Sequence, residues 1–240
     1  MNNKKNSIIE KNFAKAFQNH QKNNFEIAES YYKKNLKKDF NHFKSIFYLS
    51  ALYLQTKRFD LAKPLLLKAI QIEPNNAVAH YNLGLLYKEL RKYQKASSYY
   101  EKAIQIQPNN INALNNFGNL QIELGEYQKA ISSFEKAIQI QPNNAIFYNI
   151  LGNVLGQLGE YHRASSSYEM AIKIQPDYAD AHNNLGNALK ELGEYQKAIS
   201  SYKKAIQIRD NSATTYYNLA LVYKELGDQQ KAKDSYEKAV

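Results

Sequence analysis

The sequence contains no cysteine and no tryptophan, and only 9 of its 240 residues are glycine. Without cysteine the chain has no disulfide, no thiolate nucleophile and no thiolate metal ligand. No apolar run is long enough to cross a bilayer, and the lysines near the N-terminus are not followed by the apolar segment of a secretion signal. These absences predict a soluble, cytoplasmic protein that does not enter a membrane.

Proline is also scarce, but four of the five prolines, Pro74, Pro108, Pro142 and Pro176, are each 34 residues apart. The stretch 124–144 recurs with the same period, and its near-copies occupy residues 158–175 and 192–208. A fixed period of this size indicates an array of stacked structural repeats.

Numbering each repeat so that its proline is position 32 divides the chain into a short tail and seven units. Residues 1–8 are predicted to be a disordered N-terminal tail, and residues 9–42 a degenerate first repeat. The other repeats are 43–76, 77–110, 111–144, 145–178, 179–212 and a truncated 213–240. Because the last repeat stops at position 28, we expect either a longer natural protein or self-association through this uncapped C-terminal repeat.

Two apolar patterns with spacings of three and four residues predict two helices in each later repeat. Position 15 separates them and is glycine in the last four units; glycine suits the left-handed conformation that ends a helix. The asparagines that follow the prolines suit the N-cap of the next helix. The sequence therefore predicts fourteen helices in seven hairpins and no strands.

Small residues recur where the helices must approach closely. Position 20 is alanine in all seven units, position 8 is small from Ser50 onward, and position 27 is alanine from Ala69 onward, where it should meet the following repeat. Large residues such as Leu185, Tyr195 and Tyr202 are predicted to fill the space beside these contacts. Most of the 20 tyrosines recur at such positions, so we interpret them as core rather than as a platform for nucleic-acid bases.

This pattern resembles the tetratricopeptide repeat (TPR). The matching residues of one unit are His80, Leu83, Gly84, Tyr87, Ala96, Tyr100, Ala103 and Pro108. The resemblance covers residues 43–240 well and residues 9–42 weakly, since Asn35 replaces the alanine of position 27 and Phe40 replaces the proline. It implies an all-α fold, a right-handed superhelix or α-solenoid, in which the first helices of the repeats line a concave groove.

The formal net charge of +10 is unevenly distributed, because residues 1–76 hold eight of the ten excess positive charges. A basic end can attract nucleic acid or an acidic partner. Helical repeats that bind RNA typically have 35 residues, so the 34-residue period and the proline at position 32 disfavour nucleic acid. A basic helical-repeat RNA binder remains an alternative.

No set of residues predicts catalysis. His80 and His182 occupy position 4, a packing position, and none of the five histidines has a partner at metal-ligand spacing. Neither a glycine-rich phosphate loop nor a nucleophile elbow is present. We therefore expect a protein that is not an enzyme and that holds no cofactor and no metal.

The candidate site is a set of polar residues on the first helices of the repeats. Its asparagines are Asn82, Asn116, Asn184 and Asn218 at position 6 and Asn119, Asn153 and Asn187 at position 9. An amide carries a donor and an acceptor, so each side chain can pair with both groups of an extended backbone. The lysines at position 12, Lys88, Lys190 and Lys224, are predicted to add specificity.

These asparagines resemble the ladder in the TPR arm of O-GlcNAc-transferase-like proteins, with Ile150 interrupting it. The leading hypothesis is a non-enzymatic scaffold that binds a polypeptide segment of another protein in the groove. The alternative is the recognition arm of a larger glycosyltransferase-like enzyme whose catalytic domain lies outside this chain.

Overall fold

A computed structural model describes residues 2–210 and 212–239, and this part of the chain forms fourteen α-helices and no strand. The all-α prediction is therefore confirmed. The helices are α1 Asn2–Gln21, α2 Phe25–Lys38, α3 Phe43–Gln55, α4 Phe59–Ile72, α5 Ala77–Glu89, α6 Tyr93–Ile106, α7 Ile111–Glu123, α8 Tyr127–Ile140, α9 Ala145–Gln157, α10 Tyr161–Ile174, α11 Ala179–Glu191, α12 Tyr195–Ile208, α13 Ala213–Glu225 and α14 Gln229–Lys238.

The chain divides into two compact units, residues 1–120 and residues 121–240. Within each unit, neighbouring helices along the chain pack as antiparallel hairpins, and each hairpin packs against the next. The three-residue turn inside each hairpin places position 15 in the left-handed region. The φ angle is 72–77° at the four glycines and 54–61° at Asn23, Lys57 and Arg91, which stand at this position in the first three repeats.

Helix starts follow the predicted capping chemistry. The side chains of Asn76, Asn110 and Asn144 each accept a hydrogen bond from a backbone N–H in the first turn of the next helix, at 3.0, 3.1 and 3.1 Å. Each of these bonds satisfies a donor that the helix cannot pair internally.

The predicted small positions are the points of closest approach. All seven alanines of position 20 are buried, from Ala28 to Ala232. At position 8, a Cβ added to Gly84, Gly152 or Gly186 would stand 2.5 Å from the ring of the tyrosine at position 24 of the same repeat. The tyrosine ring therefore lies directly on the backbone of the first helix, and only hydrogen fits between them.

Position 27 joins one repeat to the next, as predicted. In the first unit Ala69 packs with Ile46 and with Ala79 of the following repeat. In the second unit Ala171 makes the same contact with Ala181. The hairpins are thus held together by repeated small-residue contacts.

The expectation of a disordered tail at residues 1–8 is wrong for residues 2–8, which form the start of α1; residue 1 lies outside the described residues. Nothing in this stretch breaks a helix, and the helix is anchored by Ile9, which is buried. The carbonyl of Ile9 accepts a hydrogen bond of 2.9 Å from Asn35 Nδ2, and the same NH₂ group lies 3.2 Å from Ser45 Oγ. The buried asparagine that replaces alanine at position 27 therefore links α1, α2 and α3.

A second polar cluster, centred on Glu29, ties α2 to the next repeat. Its carboxylate accepts a hydrogen bond of 2.9 Å from the Tyr53 hydroxyl and pairs with Lys33 Nζ at 2.6 Å and Arg58 Nη2 at 2.7 Å. Burial alone would raise the pKa of Glu29, but the hydrogen bonds from Lys33, Arg58 and Tyr53 outweigh it and hold the pKa below the ordinary value of 4.5.

We expect Ala130→Leu to lower the free energy of unfolding by roughly 1–3 kcal/mol, because the added carbons have no space at this buried contact. Urea denaturation followed by circular dichroism measures the change. Ala14→Leu, on the exposed face of α1, is the matched control and should change the unfolding midpoint little. Equal stability of the Ala130→Leu protein and the parent would refute the close contact.

The Glu29 cluster predicts a pH dependence. Since the folded-state pKa is depressed, its stabilising contribution is present above the ordinary carboxyl pKa and is lost as the pH falls through the folded value. Glu29→Gln should therefore destabilise the protein at neutral pH, and its difference from the parent should shrink on acidification. Glu26→Gln, exposed on the same helix, should show no such convergence in thermal denaturation curves measured across the acid range.

Candidate functional site

Three of the predicted asparagines converge on one pocket in the second unit, between the first helices of two successive repeats. Asn153 comes from α9, and Asn184 and Asn187 come from α11. The pocket has a volume of about 660 Å³. Its other lining residues are Gly156, Gln157, Tyr161, Tyr168, Ala188 and Glu191.

Tyrosines fix the orientation of the two asparagines at position 9. The Tyr168 hydroxyl donates to Asn153 Oδ1 at 2.9 Å, and the Tyr202 hydroxyl donates to Asn187 Oδ1 at 2.8 Å. Asn153 Oδ1 also accepts a bond of 3.0 Å from Asn184 Nδ2. Within the described chain, the NH₂ groups of Asn153 and Asn187 donate to no protein acceptor, so both remain available to a ligand.

This arrangement differs from the expected donor-and-acceptor pair. Both lone pairs of Asn153 Oδ1 are used within the protein, so this side chain presents donors only. Burial raises the pKa of Tyr168, and burial together with the nearby charge of Glu191 raises that of Tyr202. Both hydroxyls therefore keep their protons and act as donors at neutral pH.

Asn184 is held by its neighbours along the ladder. Its NH₂ group bonds Asn149 Oδ1 at 3.2 Å as well as Asn153 Oδ1, and its own Oδ1 lies 3.4 Å from Asn183 Nδ2. The ladder continues with a bond of 3.3 Å from Asn218 Nδ2 to Asn183 Oδ1. Position 6 therefore connects first helices to each other and does not point freely into the pocket.

The remaining predicted residues do not join this pocket. Asn116 Nδ2 donates to the Tyr81 hydroxyl at 2.9 Å, and Asn82 is buried, with 9% of its surface exposed. Asn119 is half-buried, and position 24 of its own repeat is Phe134, a residue without a hydroxyl group.

The position 12 lysines do not act as one set. Lys190 Nζ pairs with Glu191 Oε1 at 2.9 Å, at the edge of the pocket. Lys88 is half-buried on α5 and Lys224 is exposed on α13. Lys190 is thus connected to the pocket through its pair with Glu191, which lines it.

Sequence reasoning did not identify Gly156 as part of the site. It stands at position 12, where three other repeats carry lysine, and it lies in the last turn of α9. A Cβ added there would meet nothing nearer than the Tyr168 hydroxyl at 3.8 Å. Packing does not require glycine here, and comparison of position 12 between repeats was the signal that could have revealed it.

Two of the five histidines are confirmed as packing residues. His80 and His182 are buried, and their Nε2 atoms lie 2.9 and 3.0 Å from the carbonyls of Pro74 and Pro176. Among the described residues no group of histidine and carboxylate side chains is arranged to hold a metal ion. No helix in the described ranges has the length and apolar character needed to span a membrane.

Comparison with family models identifies the repeat. A model described as tetratricopeptide repeat matches residues 44–109, 77–143 and 177–240, which together exceed half of the chain. Two further models of this repeat match residues 152–193 and 133–164. A comparison with curated proteins finds no match.

Solved structures share this fold. MamA is 29% identical, with a TM-score of 0.63 over 65% of this chain and 92% of that chain. YrrB, described as a TPR protein with an unusual peptide-binding site, is 24% identical, with a TM-score of 0.63 over 72% of this chain and 90% of that chain. Pseudomonas aeruginosa PilF is 24% identical, with a TM-score of 0.64 over 80% and 88% of the two chains.

Two glycine substitutions distinguish a glycine needed for packing from one that is not. Gly156→Ala should raise the free energy of unfolding by up to about 0.5–1 kcal/mol, because alanine is the better helix former and its methyl group meets no clash in the last turn of α9. Gly186→Ala should lower it, because its methyl group would lie 2.5 Å from the Tyr202 ring. Urea denaturation of both proteins measures the shifts, and a destabilised Gly156→Ala protein would contradict the open space.

Proposed function

Because the chain belongs to the tetratricopeptide repeat family, we propose that it is a non-catalytic interaction module that holds an extended segment of another protein against α9 and α11. The observation that carries this proposal is the convergence of Asn153, Asn184 and Asn187 on one pocket. The family likeness is to a repeat used as a binding scaffold, and YrrB is a member described with a peptide-binding site.

The pocket offers amide donors, and an extended peptide offers carbonyl acceptors. Asn153 and Asn187 each have an NH₂ group directed away from the tyrosine that holds the amide oxygen. Backbone carbonyls of a peptide can accept from both groups. Such contacts give affinity with little dependence on peptide sequence, because every residue carries a backbone carbonyl.

Preorganisation favours this binding. The tyrosine hydroxyls and Asn184 already fix the amides, so little side-chain freedom is lost when a peptide arrives. The site thus requires no rearrangement of the asparagine ladder before it binds.

The test begins with random linear peptides displayed on phage and selected on the full chain. Selected peptides are then synthesised and titrated against the parent and against a triple Asn153→Ala, Asn184→Ala, Asn187→Ala variant. Each neutral hydrogen bond contributes about 0.5–1.5 kcal/mol, and the variant removes the two free NH₂ groups together with the Asn184 side chain that holds Asn153, so it should bind at least about fivefold more weakly. Helicity measured in parallel checks that both proteins fold.

A matched control removes three exposed asparagines outside the pocket: Asn109→Ala, Asn112→Ala, Asn143→Ala. This protein should bind the peptides like the parent. Failure to select any peptide, or equal affinity of the pocket variant and the parent, would refute the proposed function.

A further inference from the structure

Gly156 opens the pocket at a position that other repeats fill. Lysine stands at position 12 in α5, α11 and α13, and its replacement by glycine in α9 removes a whole side chain. Gly156 lies in the last turn of α9, where alanine is still the better helix former, and the space above it gives no steric reason for glycine. The vacated volume is continuous with the pocket that Asn153 and Asn187 line.

The pocket has an acidic and aromatic character. Of the described side chains that line it, Glu191 alone carries a full charge. Half-buried Tyr161 contributes ring surface, while Tyr168 and Ala188 lie at the base of the pocket with 4% and 5% of their surface exposed. Residues 121–240 hold 14 Asp+Glu against 13 Lys+Arg, so the second unit lacks the excess of positive charge found in the first.

We propose that the pocket beside Gly156 receives a basic side chain of the bound polypeptide, arginine in preference to lysine, with Glu191 as its counter-ion. This inference rests on the proposed function. The planar guanidinium matches a carboxylate with two parallel hydrogen bonds and stacks on tyrosine rings, whereas an ammonium does neither as well. The carbon stem of the arginine lies along Ala188 and the bare backbone of Gly156.

Lys190 already pairs with Glu191, so an incoming arginine side chain must compete with it for the carboxylate. Lys190 Nζ lies 2.9 Å from Glu191 Oε1, and the two side chains are 27% and 42% exposed. An exposed pair of this kind contributes little to stability, so an incoming guanidinium displaces the lysine at small cost. Lys190→Gln should therefore strengthen binding of an arginine ligand.

The experiment uses ¹⁵N-glycine labelling of the full chain, which contains nine glycines. The probe is N-acetyl-arginine methylamide, and the neutral citrulline analogue and the glutamate analogue are titrated in parallel. We expect the arginine probe to shift the Gly156 resonance, and the other two probes to leave it unchanged at the same concentration.

Three variants test whether the arginine probe binds through Glu191 and the space above Gly156. Glu191→Gln should weaken the arginine probe about fivefold, the effect of an exposed ion pair. Gly156→Lys introduces the side chain found at this position in three other repeats and fills the space. Because this change also removes the Gly156 resonance, probe binding to this variant is followed at the Gly152 and Gly159 resonances on either side, which the arginine probe should no longer shift. Glu225→Gln, an exposed carboxylate at the same repeat position outside the pocket, should bind like the parent.

The outcomes separate this inference from the proposed function. An arginine probe that fails to shift Gly156, shifts it no more than citrulline, or is insensitive to Glu191→Gln overturns the basic side-chain pocket. Selected peptides that lack enrichment of arginine and lysine, yet lose affinity in the triple asparagine variant, overturn this inference alone. Conversely, a Glu191-dependent arginine shift in a protein that selects no peptide supports the pocket and removes the proposed function.

Discussion

The contact between the backbone at position 8 and the tyrosine ring at position 24 sets the geometry of these repeats. At Gly152 and Gly186 the ring lies so close that a methyl group cannot fit between ring and helix. That closeness carries the tyrosine hydroxyl across the first helix to position 9, where it bonds the oxygen of Asn153 or Asn187. A packing constraint therefore also decides which end of each amide faces the pocket.

Much of the fold could be predicted because residues of the same size or backbone preference recur at the same position of successive repeats. Alanine at position 20, small residues at position 8 and the left-handed residue at position 15 each recur at a fixed period, and each has one physical purpose. The helix at Asn2 was missed because the first repeat departs from the pattern. There, the buried contacts of Ile9 and Asn35 decide the structure, and no other repeat displays them.

The candidate site was harder to predict, because its residues obey the same period as the core. Asparagine at positions 6 and 9 suggested a ladder. The sequence does not show, however, which amide oxygens already accept hydrogen bonds from other side chains of the protein. Asn82 and Asn116 share the position of Asn184 and yet lie outside the pocket. The residue that distinguishes the pocket, Gly156, is an exception to the period and is visible only by comparing repeats with each other.

The turns between paired helices have a consequence for how the chain opens. Lys57 and Arg91 hold a left-handed backbone that costs an L-residue with a Cβ roughly 1–2 kcal/mol, whereas the corresponding turns of the later repeats are glycine and avoid that cost. Since an array of this kind gains its stability from each repeat and its neighbours, this local cost should make the turns at Lys57 and Arg91 easier to open. We therefore expect amide protons in the turns at Lys57 and Arg91 to exchange with solvent sooner than those in the glycine turns.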